Sequence, residues 1–250
     1  MTDFVRSLAA RQLADYRSGN PGTFFAEPRR PQLSLDEAYR VQDEVAALRA
    51  STERVVGYKV GCTGPGTRAQ FGLDGPIRGL LYETELHTSG SELSYQAYDG
   101  LAIEGELAVR LSDDGRIAQV FPVIELHNYV FRGELPTLQE LVANNGINVG
   151  VVLPLTAAEL PWRGDEPLIG CLSVQINGIC VDQGPMGGVP GGPVGSLRWL
   201  ARHLNDYGLH LRPGQLILTG TPLGLIRVRP GDHVQVTAED FGAVEATIAA

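Results

Sequence analysis

Ile103-Glu104-Gly105-Glu106-Leu107-Ala108-Val109 is the stretch that decides the fold of this 250-residue chain. Successive side chains of an extended strand point to opposite faces, so Glu104 and Glu106 share one face and the large apolar residues share the other. This alternation is typical of a strand that lies on an apolar core with its second face free for polar groups. The pattern therefore predicts a strand that presents two carboxylates side by side.

A second strand is predicted over residues 121–126, where Glu125 is set among apolar residues. An ionised carboxylate buried without a partner is costly, so we expect a cation beside Glu125. Three carboxylates with no Cys or His at zinc-like spacing suit Mg²⁺ or Mn²⁺, with positions left open for water and substrate. The spacing alone slightly favours another interpretation, in which Glu104 and Glu106 line the solvated face of an edge strand and Glu125 pairs with an arginine.

Composition and charge limit the class of protein. A hydrophobic content of 43% without low-complexity runs indicates a globular chain with a sizeable core. The net charge of −9, with no run of basic residues, argues against a nucleic-acid partner or an anionic membrane surface. The N-terminus does not resemble a signal or transit peptide, and Cys62, Cys171 and Cys180 are interpreted as reduced, buried thiols. We therefore expect a cytoplasmic protein whose partner is a small molecule.

The period of the apolar residues changes at about residue 53. Residues 1–53 show helical periodicity, interrupted by Gly-Asn-Pro-Gly at 19–22 and resumed after a capping box at Ser34 to Glu37. Strand-like alternation with many Gly and Pro turns dominates from residue 54 onward. We predict an N-terminal helical region over 1–53 and a β-rich body over 54–250 that forms one structural unit.

Three further segments carry candidate site residues. Lys59 shares a strand face with Gly57 and Gly61, and a desolvated lysine can act as a base or hold an anion, although an exposed strand lysine is the simpler interpretation. Thr219-Gly220-Thr221 follows a buried strand, where hydroxyl and N–H groups can hold an anion, or is an ordinary strand end. His127 follows the second acidic strand and could reach a ligand, although a lone histidine is more often structural.

Taken together, these motifs resemble the fumarylacetoacetate hydrolase superfamily. They run in chain order through Asp36 to Gln42, Val56 to Gly61, Glu104-Gly105-Glu106, Glu125, Leu218 to Pro222 and Val228 to Asp232. Within the superfamily the chain looks most like the 2-keto-4-pentenoate hydratase and 4-oxalocrotonate decarboxylase branch. The resemblance covers nearly the whole chain and implies an α+β fold, in which a mixed β-roll body carries a small helical N-terminal region.

The resemblance also implies a metal-dependent lyase that acts on an unsaturated 2-oxo acid in aromatic compound catabolism. Such an acid chelates a divalent ion, which acts as a Lewis acid and stabilises an enolate of the substrate. The most direct expectation is a 2-oxopent-4-enoate-type hydratase, and we also expect a homo-oligomer. The implied site consists of Glu104, Glu106 and Glu125 as ligands of Mg²⁺ or Mn²⁺, Lys59 as the catalytic residue, and Thr219, Gly220, Thr221 and His127 as substrate-binding residues.

Two segments depart from the usual pattern of this branch. His127-Asn128-Tyr129 replaces an Asp-Ser-Arg type of segment, and Asn144 to Asn148 replaces an Asp-Asn-Ala-Ser-Ser type of loop. The reaction therefore stays open between hydration, 4-oxalocrotonate-type decarboxylation, and acylpyruvate or fumarylacetoacetate-type C–C hydrolysis. A non-catalytic member that binds a small acid is a further alternative.

Overall fold

A computed structural model describes residues 3–18, 32–64, 66, 68–69, 72, 75–130, 136–156, 162, 164, 166–187 and 189–250. Its α-helices are α1 Asp3–Arg17, α2 Leu35–Arg49, α3 Leu138–Ala143 and α4 Gly192–Asp206. None of the helices in the described part of the chain is both long and apolar enough to cross a membrane.

The strands form two sheets. In chain order they are β1 Val55–Gly61, β2 Ile77–Tyr82, β3 Leu86–Thr88, β4 Ser91–Ser94, β5 Leu101–Leu111, β6 Ile117–Asn128, β7 Asn148–Leu153, β8 Cys171–Ile176, β9 Ile179–Pro185, β10 Leu216–Leu218, β11 Ile226–Arg227, β12 His233–Ala238 and β13 Gly242–Ala249. The larger sheet has the order β2-β1-β10-β5-β6-β7-β3, with β11 paired to β5, and contains parallel and antiparallel pairs. The smaller sheet has the order β4-β13-β12-β8-β9. The predicted α+β class, with a mixed sheet in the body and helices at the N-terminus, is confirmed.

Strand β5 lies in the middle of the larger sheet, between β10 and β6. Its apolar residues Ile103 and Leu107 belong to the main core, together with Val174 and Val236 of the smaller sheet. A Cβ added to Gly105 would lie 2.6 Å from Cγ2 of Val174, so only glycine lets the smaller sheet pack this closely. The alternative interpretation of this stretch as an edge strand is therefore wrong.

Helix α2 begins at the predicted capping box. Ser34 Oγ accepts a hydrogen bond from the N–H of Glu37, and the Glu37 carboxylate accepts one from the N–H of Ser34. Helical spacing predicts an apolar face of Leu35, Ala38, Val41, Val45 and Leu48, which is only partly correct, since Leu35 and Leu48 are exposed while Tyr39 is buried. The buried face is rotated because α2 packs against both α1 and α3.

The helices and the body share a second hydrophobic core. Val5 and Leu8 of α1 and Val41 of α2 pack in one cluster with Ile77 of β2 and Val142 of α3. The proposed boundary near residue 53 stays a prediction, and the predicted break at 19–22 lies outside the described residues.

Asn177-Gly178 lies between two segments of alternating residues and so predicts a hairpin, which strands β8 and β9 form. Asn177 and Gly178 have φ values of 54° and 77°, which are the left-handed conformations of a tight two-residue turn. All three cysteines are free, but the prediction that they are buried is wrong, because Cys180 is exposed on the edge strand β9 and Cys62 and Cys171 are only partly buried.

Candidate active site

The pairing of β5 with β6 brings the three glutamates together. Glu104 lies directly opposite Glu125 in this antiparallel pair, and Glu106 follows Glu104 on the same face. Glu106 and Glu125 are each only 1% exposed. Glu106 and Glu125 therefore lie in the interior of the protein and Glu104 is 24% exposed, so the interpretation of this face as solvated is wrong for Glu106.

Two cationic side chains lie against these carboxylates. Lys59 Nζ is 3.3 Å from Glu125 Oε1, and His127 Nε2 is 3.2 Å from Glu104 Oε2 and 3.5 Å from Glu125 Oε2. Lys59 is only 4% exposed, so the alternative of an exposed strand lysine is wrong. Glu125 thus pairs with a lysine and a histidine, and not with an arginine.

Lys59 is the only lysine of the chain, and glycines surround its side chain. A Cβ added to Gly146 would lie 2.7 Å from Lys59 Cε, and one added to Gly79 would lie 2.9 Å from Cγ. The ammonium donates a hydrogen bond of 3.0 Å to the carbonyl of Gly146. The space that the neighbouring glycine Gly61 leaves is filled by the lysine itself, since a Cβ there would lie 3.0 Å from Nζ. The close approach of these glycines restricts the Lys59 side chain to one conformation.

Both cations are stabilised in their charged form. Burial by itself lowers the pKa of Lys59, but the carboxylates of Glu125 and Glu104 outweigh burial and raise this pKa above its ordinary value. The same balance of burial against Glu125 and Glu104 raises the pKa of His127 to about 9. This direction of the pKa favours the alternative in which Lys59 stays charged and holds an anion over the one in which it acts as a neutral base, and its role stays a prediction.

The pKa values of Glu106 and Glu125 are shifted in opposite directions. Burial raises the pKa of Glu106, and repulsion from Glu125 and Glu104 raises it further, although Glu106 accepts a hydrogen bond from the N–H of Gly220. Burial also acts on Glu125, but Lys59 and His127 outweigh it and lower the pKa of Glu125 below its ordinary range. Neighbouring groups whose pKa values are driven apart are typical of functional sites.

A cavity of about 490 Å³ opens beside these residues. Lys59, Glu104, Glu106 and His127 line it on one side, while apolar residues such as Leu141 line it elsewhere. Glu125 does not line the cavity and lies behind the other carboxylates. Its charge therefore acts on the cavity through Lys59 and His127.

The turn after β10 contributes less than its hydroxyl groups predict. Gly220 and Thr221 line the cavity, but Thr219 does not, and its hydroxyl donates a hydrogen bond of 2.8 Å to the carbonyl of Leu107. The Thr221 hydroxyl donates one of 2.6 Å to the carbonyl of Gly105. Both hydroxyl protons hold the turn onto β5, so substrate binding by this turn stays a prediction.

The donor set fits a hard divalent cation. Ligand atoms of Glu104, Glu125 and His127 all lie within 4.8 Å of one another, and the carboxylate of Glu106 lies beside them. Both ring nitrogens of His127 are buried without a hydrogen bond, so its contacts with the carboxylates are electrostatic only. Buried carboxylate oxygens in excess of their cations are suited to Mg²⁺ or Mn²⁺. Which of the four residues are ligands stays a prediction.

Sequence reasoning missed the contribution of Asn148. Its Nδ2 donates a hydrogen bond of 2.8 Å to Glu125 Oε1 and fixes the carboxylate that holds Lys59. The Asn-Asn-Gly sequence after a short helical pattern predicts a helix cap and turn, and residues 144–148 form that turn, with positive φ at Asn145, Gly146 and Ile147. The Asn-Asn-Gly sequence signals such a turn, but it does not signal that the turn faces Lys59 and Glu125.

The fold and this site define a class of protein: the chain resembles the fumarylacetoacetate hydrolase superfamily, and comparison with known proteins confirms the resemblance predicted from its motifs. Residues 169–249 match the family described as "Fumarylacetoacetate (FAA) hydrolase C-terminal". This match includes the turn at Thr219 to Thr221 but not the three glutamates.

Among its relatives are a hydratase and a decarboxylase. The chain is 28% identical to "2-keto-4-pentenoate hydratase" of Paraburkholderia xenovorans, over 98% of this chain and 95% of the relative. It is 26% identical to "4-oxalocrotonate decarboxylase" of Pseudomonas putida, over 86% of each chain. The solved structure of "4-oxalocrotonate decarboxylase from Pseudomonas putida G7 - complexed with calcium and acetate" shares the fold, with a TM-score of 0.88, 24% identity, and coverage of 99% of this chain and 98% of that one.

Proposed function

We propose that this chain is a divalent-ion-dependent lyase that hydrates a small unsaturated 2-oxo acid of the 2-oxopent-4-enoate type. The observation that carries the proposal is the group of three carboxylates, one ammonium and one imidazole around a single cavity. The relatives named as hydratases, which align over most of their length, support the reaction class.

We assign the ion, Mg²⁺ or Mn²⁺, to Glu104, Glu106 and Glu125, with His127 turned toward the substrate. When bound, the ion supplies a Lewis acid for the carboxylate and 2-oxo oxygens of the substrate. The solved structure that contains calcium supports a divalent ion in this fold. Glu104 and Glu106 line the cavity, so they stand between the substrate and the buried Glu125.

Lys59 is assigned to proton transfer and charge stabilisation. Its ammonium, held by Gly146 and Glu125, places a proton at the wall of the cavity on a side chain that is itself buried. A fixed cation at this place stabilises negative charge that develops on the substrate, and its proton can be delivered to a substrate carbon. The apolar walls at Leu141 and Leu223 accommodate a hydrocarbon tail.

Decarboxylation of a 4-oxalocrotonate-type acid is the second candidate. The relative and the solved structure that bear this name both align over most of the chain. The same stabilisation of negative charge on the substrate serves loss of CO₂ as well as addition of water. We further propose that the protein acts in the cytoplasm, in aromatic compound catabolism, and as a homo-oligomer.

A substrate panel tests the proposal. 2-Hydroxypenta-2,4-dienoate, 4-oxalocrotonate and an acylpyruvate are followed by ultraviolet absorbance with and without Mg²⁺, and CO₂ release is measured in parallel. We expect Mg²⁺-dependent loss of the dienoate without CO₂. CO₂ release from 4-oxalocrotonate alone would select the decarboxylase, and no turnover of any acid would contradict a catalytic role.

A lysine variant separates chemistry from ligation. Lys59→Met keeps the length of the side chain but removes its charge, so we expect turnover to be lost while Mg²⁺ still raises the melting temperature. Because Lys59 is the only lysine, borohydride treatment with substrate also shows whether a Schiff base forms. We expect no adduct on Lys59, since it is charged.

A further inference from the structure

A second cavity, of about 550 Å³, lies on the far side of Thr63 from the candidate active site. Arg68, Arg198 and Arg202 line it, and its described lining contains no Asp or Glu. The chain as a whole has a net charge of −9, so the charge of this pocket, with three arginines and no acidic residue among its described lining, is opposite in sign to that of the protein. We call this cavity the arginine pocket.

The three arginines have no partner among the described residues. Other arginines are paired: Arg49 contacts Glu53 and Glu85, and Arg78 contacts Asp43. No such contact is made by the arginines of the pocket, and Nε of Arg68 is buried without a hydrogen bond. A buried donor left unsatisfied costs on the order of 1–3 kcal/mol, which an acceptor bound in the pocket would recover.

The pocket has firm walls. Arg198 and Arg202 are four residues apart on α4, so they lie on one face of the helix. Trp199 also lines the pocket, and its ring stacks on His203 with centroids 4.8 Å apart and planes inclined by 13°. These contacts restrict the motion of the helix face that carries Arg198 and Arg202.

The floor of the pocket is buried and polar. Ser196 and Thr63 are 4% and 5% exposed, and their hydroxyls donate to the carbonyls of Thr219 at 2.6 Å and Thr221 at 3.5 Å. The arginine pocket therefore backs onto the turn whose Gly220 N–H contacts Glu106. It is nevertheless a separate cavity, since Thr63 is the only described residue that lines both.

We propose that the arginine pocket binds a small oxyanion with at least two negative charges. Guanidinium groups present forked N–H donors that match the oxygens of carboxylates and phosphates, and three of them together favour a multiply charged ligand. Inorganic phosphate and an organic dicarboxylate share this chemistry. The proposal does not rest on the reaction assigned to the active site.

The test uses the full chain, freed of metal ions on a chelating resin. Potassium phosphate and succinate are titrated by calorimetry, and melting temperatures are compared with those in KCl of equal ionic strength. We expect saturable binding and a higher melting temperature than in KCl. The affinity should fall at least tenfold, or about 1.4 kcal/mol, in the variant Arg198→Gln/Arg202→Gln.

Control variants give each outcome a meaning. Arg212→Gln removes an exposed arginine outside the pocket and should bind as the wild type does. Arg198→Lys/Arg202→Lys keeps the charge, and should give intermediate affinity if the forked donors matter. Binding of phosphate but not succinate, or the reverse, identifies the class of ligand.

Two results would overturn the proposal. One is a melting temperature that phosphate and succinate raise no more than KCl does. The other is binding that survives Arg198→Gln/Arg202→Gln but disappears in Glu106→Gln, because the anion would then occupy the active site. Unchanged binding in Glu106→Gln supports the arginine pocket even if the assigned reaction proves wrong.

Discussion

The end of helix α2 and the inner face of strand β5 both bury charged side chains, but they balance charge differently. At the end of α2, Arg49 contacts Glu53 at 2.5 Å and Glu85 at 2.6 Å, and the hydroxyl of Tyr16 donates to Glu85 at 2.5 Å. The guanidinium carbon also lies 3.4 Å from the ring centroid of Tyr82. Each charge in this α2 cluster has an opposite charge in hydrogen-bond contact.

On β5, as in the α2 cluster, there is one carboxylate more than there are cations, but here the cations are not hydrogen-bonded to the carboxylates. Lys59 and His127 face Glu104, Glu106 and Glu125, and the contacts of His127 lack hydrogen-bond geometry. The pKa of Glu53 in the α2 cluster is lowered by its hydrogen bond from Arg49, whereas burial and two carboxylates raise the pKa of Glu106. The comparison teaches that buried carboxylates hydrogen-bonded to a shared cation hold a fold together, whereas buried carboxylates without such hydrogen bonds indicate a place for a cation.

Removing Arg49 should have the largest effect on stability. Arg49→Met leaves Glu53 and Glu85 without their cation, so we expect the free energy of unfolding to fall by about 3–5 kcal/mol. Chemical denaturation measures this loss. Arg54→Gln is the matched control, because its exposed pair with Glu83 should contribute under about 1 kcal/mol. Equal losses in the two variants would show that the α2 cluster is no stronger than a surface pair.

Glu106→Gln should act on ion binding and turnover instead. It removes one of three clustered negative charges, so affinity for Mg²⁺ should fall and turnover should fall beyond the roughly 10–100-fold typical of losing an outer-shell partner. The metal-free variant should be as stable as the wild type, or more so. Paired Mg²⁺ titrations, read by melting temperature and by turnover, measure the change. Overlapping curves would remove Glu106 from the site.

His203 lies outside both clusters, so its pKa shows mainly the effect of burial without an ion pair. Burial, with the nearby Arg78, lowers the pKa of His203 to about 4. Between pH 6.5 and 4 the unfolded chain binds the proton that the folded chain rejects, so stability should fall as the pH is lowered through this window. The full effect is about 3 kcal/mol, and solvent screening of the partly exposed ring reduces it to about 2 kcal/mol.

Unfolding measured across this pH range tests the prediction on His203. His203→Phe keeps a ring beside Trp199 but cannot titrate, so it should lose this part of the pH dependence. An identical pH profile in the two proteins would assign the acid sensitivity to other groups.

Tyr16→Phe should have the smallest effect. It removes the hydrogen bond to Glu85 but leaves the contact with Arg49, so we expect a loss of about 1 kcal/mol in the free energy of unfolding. Turnover should not change. A loss as large as that of Arg49→Met would show that the tyrosine, and not the arginine, holds the α2 cluster together.

Local rules of the chain account for much of the fold and part of the site. Alternation placed Glu104 and Glu106 on one face, the Asn177-Gly178 pair predicted its hairpin, and the capping box predicted the start of α2. Each depends on residues close in sequence, whose backbone geometry is nearly independent of the rest of the molecule. The resemblance of the motifs to a known superfamily predicted the mixed β-roll body and the class of protein.

Only the tertiary structure decided which distant residues meet. The residues of β5 do not show that it is a central strand. Nor do the residues near Lys59 or Asn148 in sequence show that Lys59 passes between glycines to reach Glu125, or that Asn148 donates a hydrogen bond to that carboxylate. The arginine pocket likewise joins Arg68 to a helix more than a hundred residues later. The sequence by itself determined the faces of strands and the positions of turns, because these follow from neighbouring residues. Contacts between charges depend on how strands and helices pack, and packing is a property of the whole chain.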